Sequence, residues 1–267
     1  LKYLIDKWGV ERFLTETEKR LAFPLIRYPA EACEPRKPID RAGHIGVHEQ
    51  IQPGMHYIGV VVPVGRLPVA QALAIADIAD RFGTGEVRLT VWQNLVIPNI
   101  ASEHLESAKE ALLAAGLDFT AGRVLSGTVA CTGNKGCRFA ATDTKLHAVE
   151  LANILDSRFT IDQPVNLHVT GCPHSCAQHY IGDIGLLGTT VGGEEAYQVV
   201  IGGGSDQDQG IARELIPSIR FSDLSPLIER LFHAYLSHRN PEESFLSFTR
   251  RQPIADLKDF CLAKECV

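Results

Sequence analysis

Four cysteines fall into two glycine-flanked pairs, CTGNKGC at residues 131–137 and GCPHSC at residues 171–176. The spacings are C-x5-C and C-x3-C, with 34 residues between Cys137 and Cys172. Soft thiolate ligands converging from two loops suit an iron–sulfur cluster or zinc. Gly133 and Gly136 let the first loop curl so that both of its thiols point inward, and Pro173 stiffens the second by fixing φ beside Cys172. Structural zinc prefers two to four residues within a pair, so the wider pair fits it poorly. Disulfides belong to exported chains, and isolated buried thiols are not expected as two glycine-rich pairs. The spacing favours a cluster, with zinc and chance as the alternatives.

The elements that must position these loops follow from periodicity and punctuation. The second loop follows VNLHV (165–169), a predicted strand, so its cysteines sit at a strand end. Residues 1–22 read as one helix with Leu4, Ile5, Trp8, Phe13 and Leu14 on one side. Residues 24–42 carry Pro24, Pro29, Pro35 and Pro38 and read as an extended linker. MHYIGVVVPV (55–64) is a strand, PVAQALAIADIADRFG (68–83) a helix opened by Pro68 and closed by Gly83, and EVRLTV with QNLVIPNI two strands or one long bent strand. SEHLESAKEALLAAG (102–116) is a helix with Ser102 as N-cap and Gly116 past its end. Helices after strands suggest a sheet covered on one face. From about residue 121 glycine and cysteine become frequent. A helix is expected over 139–157, strands over 184–191 and 197–204, and helices over 224–239 and 241–251. The glycines at 202–204 lack a nucleotide-binding pattern.

The totals bound the function. A chain of 267 residues buries a real core, and 45% hydrophobic with 22% charged residues is ordinary for a globular protein. No apolar run approaches the ~20 residues that cross a bilayer. The net charge of −6 provides no basic field for nucleic acid, and no Lys/Arg run suggests a membrane surface. LKYLIDKWGVERF lacks the order of a signal peptide, so the expected compartment is the reducing cytoplasm. The chain opens in mid-pattern without a Met and reads as the C-terminal part of a longer protein. Cys33, Cys261 and Cys266 fall outside both pairs and read as spare thiols.

VACTGNKGCRFAATDTKLHA and VNLHVTGCPHSCAQHYIGDIGLLG resemble the cluster-binding signature of the sirohaem-dependent nitrite and sulfite reductases. GVVVPVGRLP with GEVRLTVWQNLVIPNI resembles the second of that family's two internal repeats. The likeness runs from Gly43 to about Arg251. It implies an α+β fold with residues 1–42 as the end of a preceding half and a linker. Residues 43–120 would form a ferredoxin-like half-domain, and residues 121–267 a mixed α/β domain for sirohaem and a [4Fe–4S] cluster. It implies Cys131, Cys137, Cys172 and Cys176 as cluster ligands, with Cys176 also the axial ligand of the sirohaem iron and hence a catalytic residue.

Arg88, Thr90, Gln93 and Asn94 match the family's R-x-T-x-x-Q-N strand near the macrocycle. Strand alternation places Arg88, Thr90 and Trp92 on one face. The bland reading of Arg88 is an exposed strand charge. Asn134, Lys135, Arg138 and His174 lie in the cluster loops, where amides and charges would bond to sulfurs or carboxylates. Four cysteines already complete a cluster, so His174 packs beside it.

The implied reaction is the six-electron reduction of nitrite to ammonia, or of sulfite to sulfide, with ferredoxin as donor. The run of residues looks closer to the ferredoxin–nitrite reductases. The cationic substrate residues are expected in a missing N-terminal half of the same polypeptide. The reading from another class is a non-catalytic iron–sulfur electron-transfer module, which would not need Arg88, Thr90, Gln93 and Asn94.

Overall fold

Gly9 divides the helix expected over residues 1–22. In the computed structural model, described for residues 1–34, 39–205 and 209–262, α1 runs Lys2–Trp8 and α2 runs Val10–Glu18. Gly9 stands between them at φ 77° and ψ 160°, a conformation closed to residues with a Cβ. These helices belong to a unit spanning Leu1–Lys37, and the rest of the chain forms a second unit, Pro38–Val267. The expected extended linker contains a 3-10 turn at Ala30–Ala32. Pro35 and Pro38 lie outside the described residues, as does Cys266.

The second unit begins with a four-stranded antiparallel sheet of β1 (Gly46–Glu49), β2 (Met55–Val60), β3 (Arg88–Leu89) and β4 (Leu95–Ala101), ordered β1-β2-β4-β3. Two helices, α3 (Val69–Phe82) and α4 (Leu105–Ala114), share its core. Ile75, Ile78 and Ala79 of α3 and Ala108 and Leu112 of α4 meet Ile58, Val60 and Ile97 there. Pro68 precedes α3 and Gly83 follows it, as expected. Ser102 does not cap α4. It lies in a 3-10 turn, and its hydroxyl donates to the Gly54 carbonyl at 3.1 Å. Gly116 follows α4 at φ 67°. The run expected as strand at 86–91 pairs only at Arg88 and Leu89. Thr90 N–H donates to Asn94 at 2.9 Å and Gln93 adopts φ 62°, so residues 90–94 turn the chain into a hairpin. Thr90 and Trp92 therefore sit in a turn rather than on a strand face beside Arg88.

A five-stranded mixed sheet follows, ordered β5 (Thr128–Ala130), β6 (Leu167–Thr170), β7 (Ile184–Val191), β8 (Glu194–Ile201) and β9 (Arg213–Arg220). The first three strands run parallel and the last two antiparallel. Pro217 lies in β9, the edge strand, where a missing N–H interrupts no interior ladder. Parallel β5 and β6 need a crossover, supplied by α5 (Thr144–Arg158), whose N-cap Asp143 accepts the Leu146 N–H at 3.3 Å. That cap explains why the helix expected from residue 139 starts later. The remaining helices are α6 (Phe221–His238), α7 (Phe245–Arg251) and α8 (Ile254–Leu262). Leu151, Leu155, Leu167, Tyr197, Leu231, Phe232 and Phe245 join one core. Gly203 is explained by close packing, since a Cβ there would stand 2.5 Å from the Tyr180 carbonyl oxygen. Among the described residues no helix is long and apolar enough to cross a membrane.

Candidate metal centre

The two cysteine loops leave the C-terminal ends of adjacent parallel strands. β5 and β6 pair with Ala130 opposite Val169, and Cys131 N–H extends the ladder to the Val169 carbonyl at 3.0 Å. One residue past β6, Gly171 N–H donates to Cys131 Sγ at 3.2 Å. This bond ties the first loop to the start of the second. The Gly171 carbonyl accepts Ala141 N–H at 2.7 Å, closing the contact from the other side.

Within the first loop, Gly133 adopts φ 73° and its carbonyl accepts Cys137 N–H at 2.9 Å, the expected curl. A Cβ on Gly133 would stand 2.8 Å from the Thr144 nitrogen. In the second loop, Ser175 N–H donates to the Cys172 carbonyl at 3.2 Å, and Ser175 and Gln178 take left-handed φ values. Cys172 is buried, Cys131 and Cys137 are half-buried, and Cys176 is exposed. None of the four is in a disulfide, and neither is exposed Cys33 or buried Cys261.

The residues present fit an iron–sulfur cluster. The Gly171 N–H already points at a cysteine sulfur. Next to it, Thr170 is fully buried and its hydroxyl has no partner within the protein, the setting in which a cluster sulfur serves as acceptor. Among the described residues no three His, Cys, Asp or Glu side chains gather as closely as a single ion requires. A cubane takes each thiolate on a different iron, so its ligands stand farther apart than those of one zinc ion.

Cys176 opens into a cleft of about 440 Å³ shared with Trp92, Gln93, Val129, His168 and Gln178. His168 is 1% exposed, and its Nδ1 donates to the Ala177 carbonyl at 2.8 Å. Burial pushes its pKa down to about 4, so the ring is neutral near pH 7. With the proton on Nδ1, Nε2 is a buried acceptor, and it has no partner within the protein. The Trp92 ring meets His168 edge-on at 5.4 Å.

The other predicted residues are placed as follows. The Gln93 amide bonds to the backbone of Ala130, accepting its N–H at 3.1 Å and donating to its carbonyl at 2.8 Å. Asn94 is buried, with Oδ1 accepting Val62 N–H at 2.8 Å and Nδ2 donating to the Ser126 carbonyl at 3.1 Å. Thr90 Oγ1 accepts Asn94 N–H at 3.1 Å. Exposed Arg88 pairs with Glu86 at 2.7 Å and lines a separate depression with Gln50, Tyr57 and Asn99. These four therefore do not form one ligand-facing edge, because the strand ends at Leu89 and the turn sends Asn94 inward.

Asn134 donates to Glu195 at 2.7 Å. His174 Nδ1 lies 3.5 Å from Cys172 Sγ, with its ring edge-on to Phe139. Lys135 and Arg138 are exposed, and Arg138 covers the Phe139 ring at 4.8 Å.

Sequence reasoning missed His168, Trp92 and an ion pair that braces β7. Arg41 Nη2 reaches both oxygens of Asp183 at 2.8 and 2.9 Å, and Asn166 N–H donates to the same carboxylate at 2.9 Å. Burial pushes the Asp183 carboxyl upward, against the charge of Arg41 and the bond from Asn166. The available signal for His168 was its place between Leu167 and Val169 in an apolar strand.

Residues 48–115 match the family model described as the nitrite/sulfite reductase ferredoxin-like half domain. Residues 121–244, with all four loop cysteines, match the nitrite and sulphite reductase 4Fe-4S domain. A chloroplastic ferredoxin–nitrite reductase of Zea mays is 37% identical over 238 residues, covering 86% of this chain and 42% of that protein. A sulfite reductase [ferredoxin] of Mycolicibacterium paratuberculosis is 33% identical, covering 97% of this chain and 48% of its own length. The structure of the Mycobacterium tuberculosis NirA protein superposes with a TM-score of 0.76 at 31% identity, covering 96% of this chain and 48% of that one. The chain spans less than half the length of these relatives.

Proposed function

This chain belongs to the nitrite and sulfite reductase family, and we propose that it forms the electron-inlet side of an enzyme reducing nitrite to ammonia with six electrons. The observation that carries the reading is the joining of the two cysteine loops, with Gly171 N–H on Cys131 Sγ beside Cys172. The family's cofactors are a [4Fe–4S] cluster and a sirohaem. In this reading Cys131, Cys137, Cys172 and Cys176 would hold the cluster, and Cys176, the thiol open to the cleft, would also hold the sirohaem. When bound, these groups supply single-electron transfer and an open iron position for the substrate anion.

The chain's own residues bind and orient. The Gly171 N–H holds the Cys131 sulfur against the start of the second loop. His168 holds the backbone just after Cys176 through the Ala177 carbonyl. Gln93 fixes the hairpin turn on β5, and Asn94 and Thr90 fix the turn itself. Arg88 would have to leave its pair with Glu86 to meet the macrocycle carboxylates. Asn134 and His174 lie within the two cluster loops. A ferredoxin, or a similar one-electron carrier, is the proposed donor, and a reducing compartment such as the cytoplasm is the proposed setting. The cationic substrate groups are expected from the part of the relatives that this chain does not span.

Sulfite is the second reading, because a sulfite reductase stands among the relatives at nearly the same identity. Visible spectroscopy with iron and acid-labile sulfide analysis tests the cofactors. Sirohaem bands with a broad cluster band are expected. A cluster band alone would mean an electron carrier, and colourless, iron-free protein would overturn the reading. Turnover of the intact protein with a reduced viologen should be faster with nitrite; faster sulfite turnover would select the second reading.

A further inference from the structure

Glu195 lies on β8, outside both cysteine loops, yet its carboxylate grips the first of them at two points. Oε1 accepts the Asn134 amide at 2.7 Å, and Asn134 sits between Cys131 and Cys137. Oε2 accepts the Asp143 N–H at 2.9 Å, where the segment leaving that loop becomes the cap of α5. The loop carries Gly133 and Gly136 and has little stiffness of its own. One rigid strand residue thus fixes both the tip of the loop and the entry to its following helix.

One histidine faces the carboxylate. His147 Nε2 is 3.5 Å from Oε2, but burial lowers the pKa of that histidine, which is stacked on Phe221 and bonded through Nδ1 to the Tyr197 hydroxyl at 2.9 Å. Among the described residues no lysine or arginine forms an ion pair with Glu195. A negative charge one side chain away from the cluster loop makes addition of an electron to the cluster harder.

We propose that Glu195 is a positioning residue for the cluster, holding the Cys131–Cys137 loop closed and lowering the cluster's reduction potential. The inference rests on the cluster reading above. The test compares cluster-loaded wild type with Glu195→Gln and Glu195→Ala, reading the midpoint potential from the electron paramagnetic resonance signal of the reduced cluster, and the rate of cluster loss to an iron chelator. Glu229→Ala, which breaks the Arg158–Glu229 pair between α5 and α6, serves as the control for a merely destabilising change.

Both Glu195 variants should shift the potential to more positive values. Cluster loss should be several-fold faster in Glu195→Ala and intermediate in Glu195→Gln, whose amide oxygen still accepts one of the two bonds. Should the alanine variant fail to fold, the near-isosteric glutamine variant carries both measurements. The inference falls if either readout stays at its wild-type value, or if Glu229→Ala moves it as far. Wild type without a cluster would instead sink the cluster reading, and this inference with it.

Discussion

The side chain of Gln93 serves Ala130 as a strand partner would. Its amide takes both backbone groups of that residue, at 3.1 Å and 2.8 Å, on the outer side of β5, whose other side pairs with β6. Ala130 is fully buried and immediately precedes Cys131. The hairpin turn of the first sheet is thereby locked to the strand that carries the first cysteine. Gln93→Ala leaves a buried N–H and a buried carbonyl unpaired, which costs about 2–4 kcal/mol. Urea unfolding should show this loss. Gln93→Glu should recover little of it, because a carboxylate accepts from the N–H but cannot donate to the carbonyl.

The described cysteines divide into two groups, those inside the paired loops and those outside them. Replacing Cys131, Cys137, Cys172 or Cys176 with alanine should abolish or sharply reduce bound iron and acid-labile sulfide. Cys33 is exposed, and Cys261 is buried with its thiol pushed up to about 12 by desolvation. A thiol held protonated in the core is a packing group, so Cys33→Ala and Cys261→Ala should keep the full iron content. Cys261→Ala should cost about 1 kcal/mol from the small void it leaves. Iron analysis beside thermal melts separates the two groups.

Arg41 and Asp183 are far apart in sequence and close in space, and their pair ties the segment before β1 to the start of β7. Asp183 is fully buried and the Arg41 side chain is mostly so. Removing the cation leaves an uncompensated buried carboxylate, so Arg41→Met should lose about 3–5 kcal/mol. Asp183→Asn in the same background should recover part of that loss, because the charge left behind is gone. A denaturant double-mutant cycle measures both.

What could be read from the sequence was local. The two Gly-rich cysteine pairs, the helix from Pro68 to Gly83 and the strand at 184–191 follow from spacing, punctuation and periodicity. The short strands β1 and β5 carry too few residues to show a period, and β9 is broken by Pro217. The hairpin at residues 90–94 was hidden because EVRLTVWQN alternates well enough to pass for a continuing strand, while Gln93 takes a left-handed φ without being glycine. Partnerships were illegible for the same reason in each case. Nothing near Gln93 names Ala130, nothing near Arg41 names Asp183, and nothing near Asn134 names Glu195, since the fold alone brings them together.

His168 gives the fold a defined response to acid. Its pKa is pushed down to about 4 by burial, against 6.5 for the unfolded chain. The unfolded state therefore binds a proton first as pH falls, and the folded state loses stability between pH 6.5 and pH 4. The contribution is fully present above pH 6.5 and amounts to about 3 kcal/mol. His44 and His147 are also lowered by burial and act in the same direction, so wild type alone does not isolate the effect. His168→Leu removes this one titration and leaves the others. The difference in unfolding free energy between wild type and His168→Leu should shrink by about 3 kcal/mol from pH 7 to pH 4, on top of a constant offset for the lost bond to the Ala177 carbonyl. A difference that stays flat with pH would mean that His168 takes up its proton in the folded state as readily as in the unfolded chain, and that the neutral ring beside Cys176 is not held by burial.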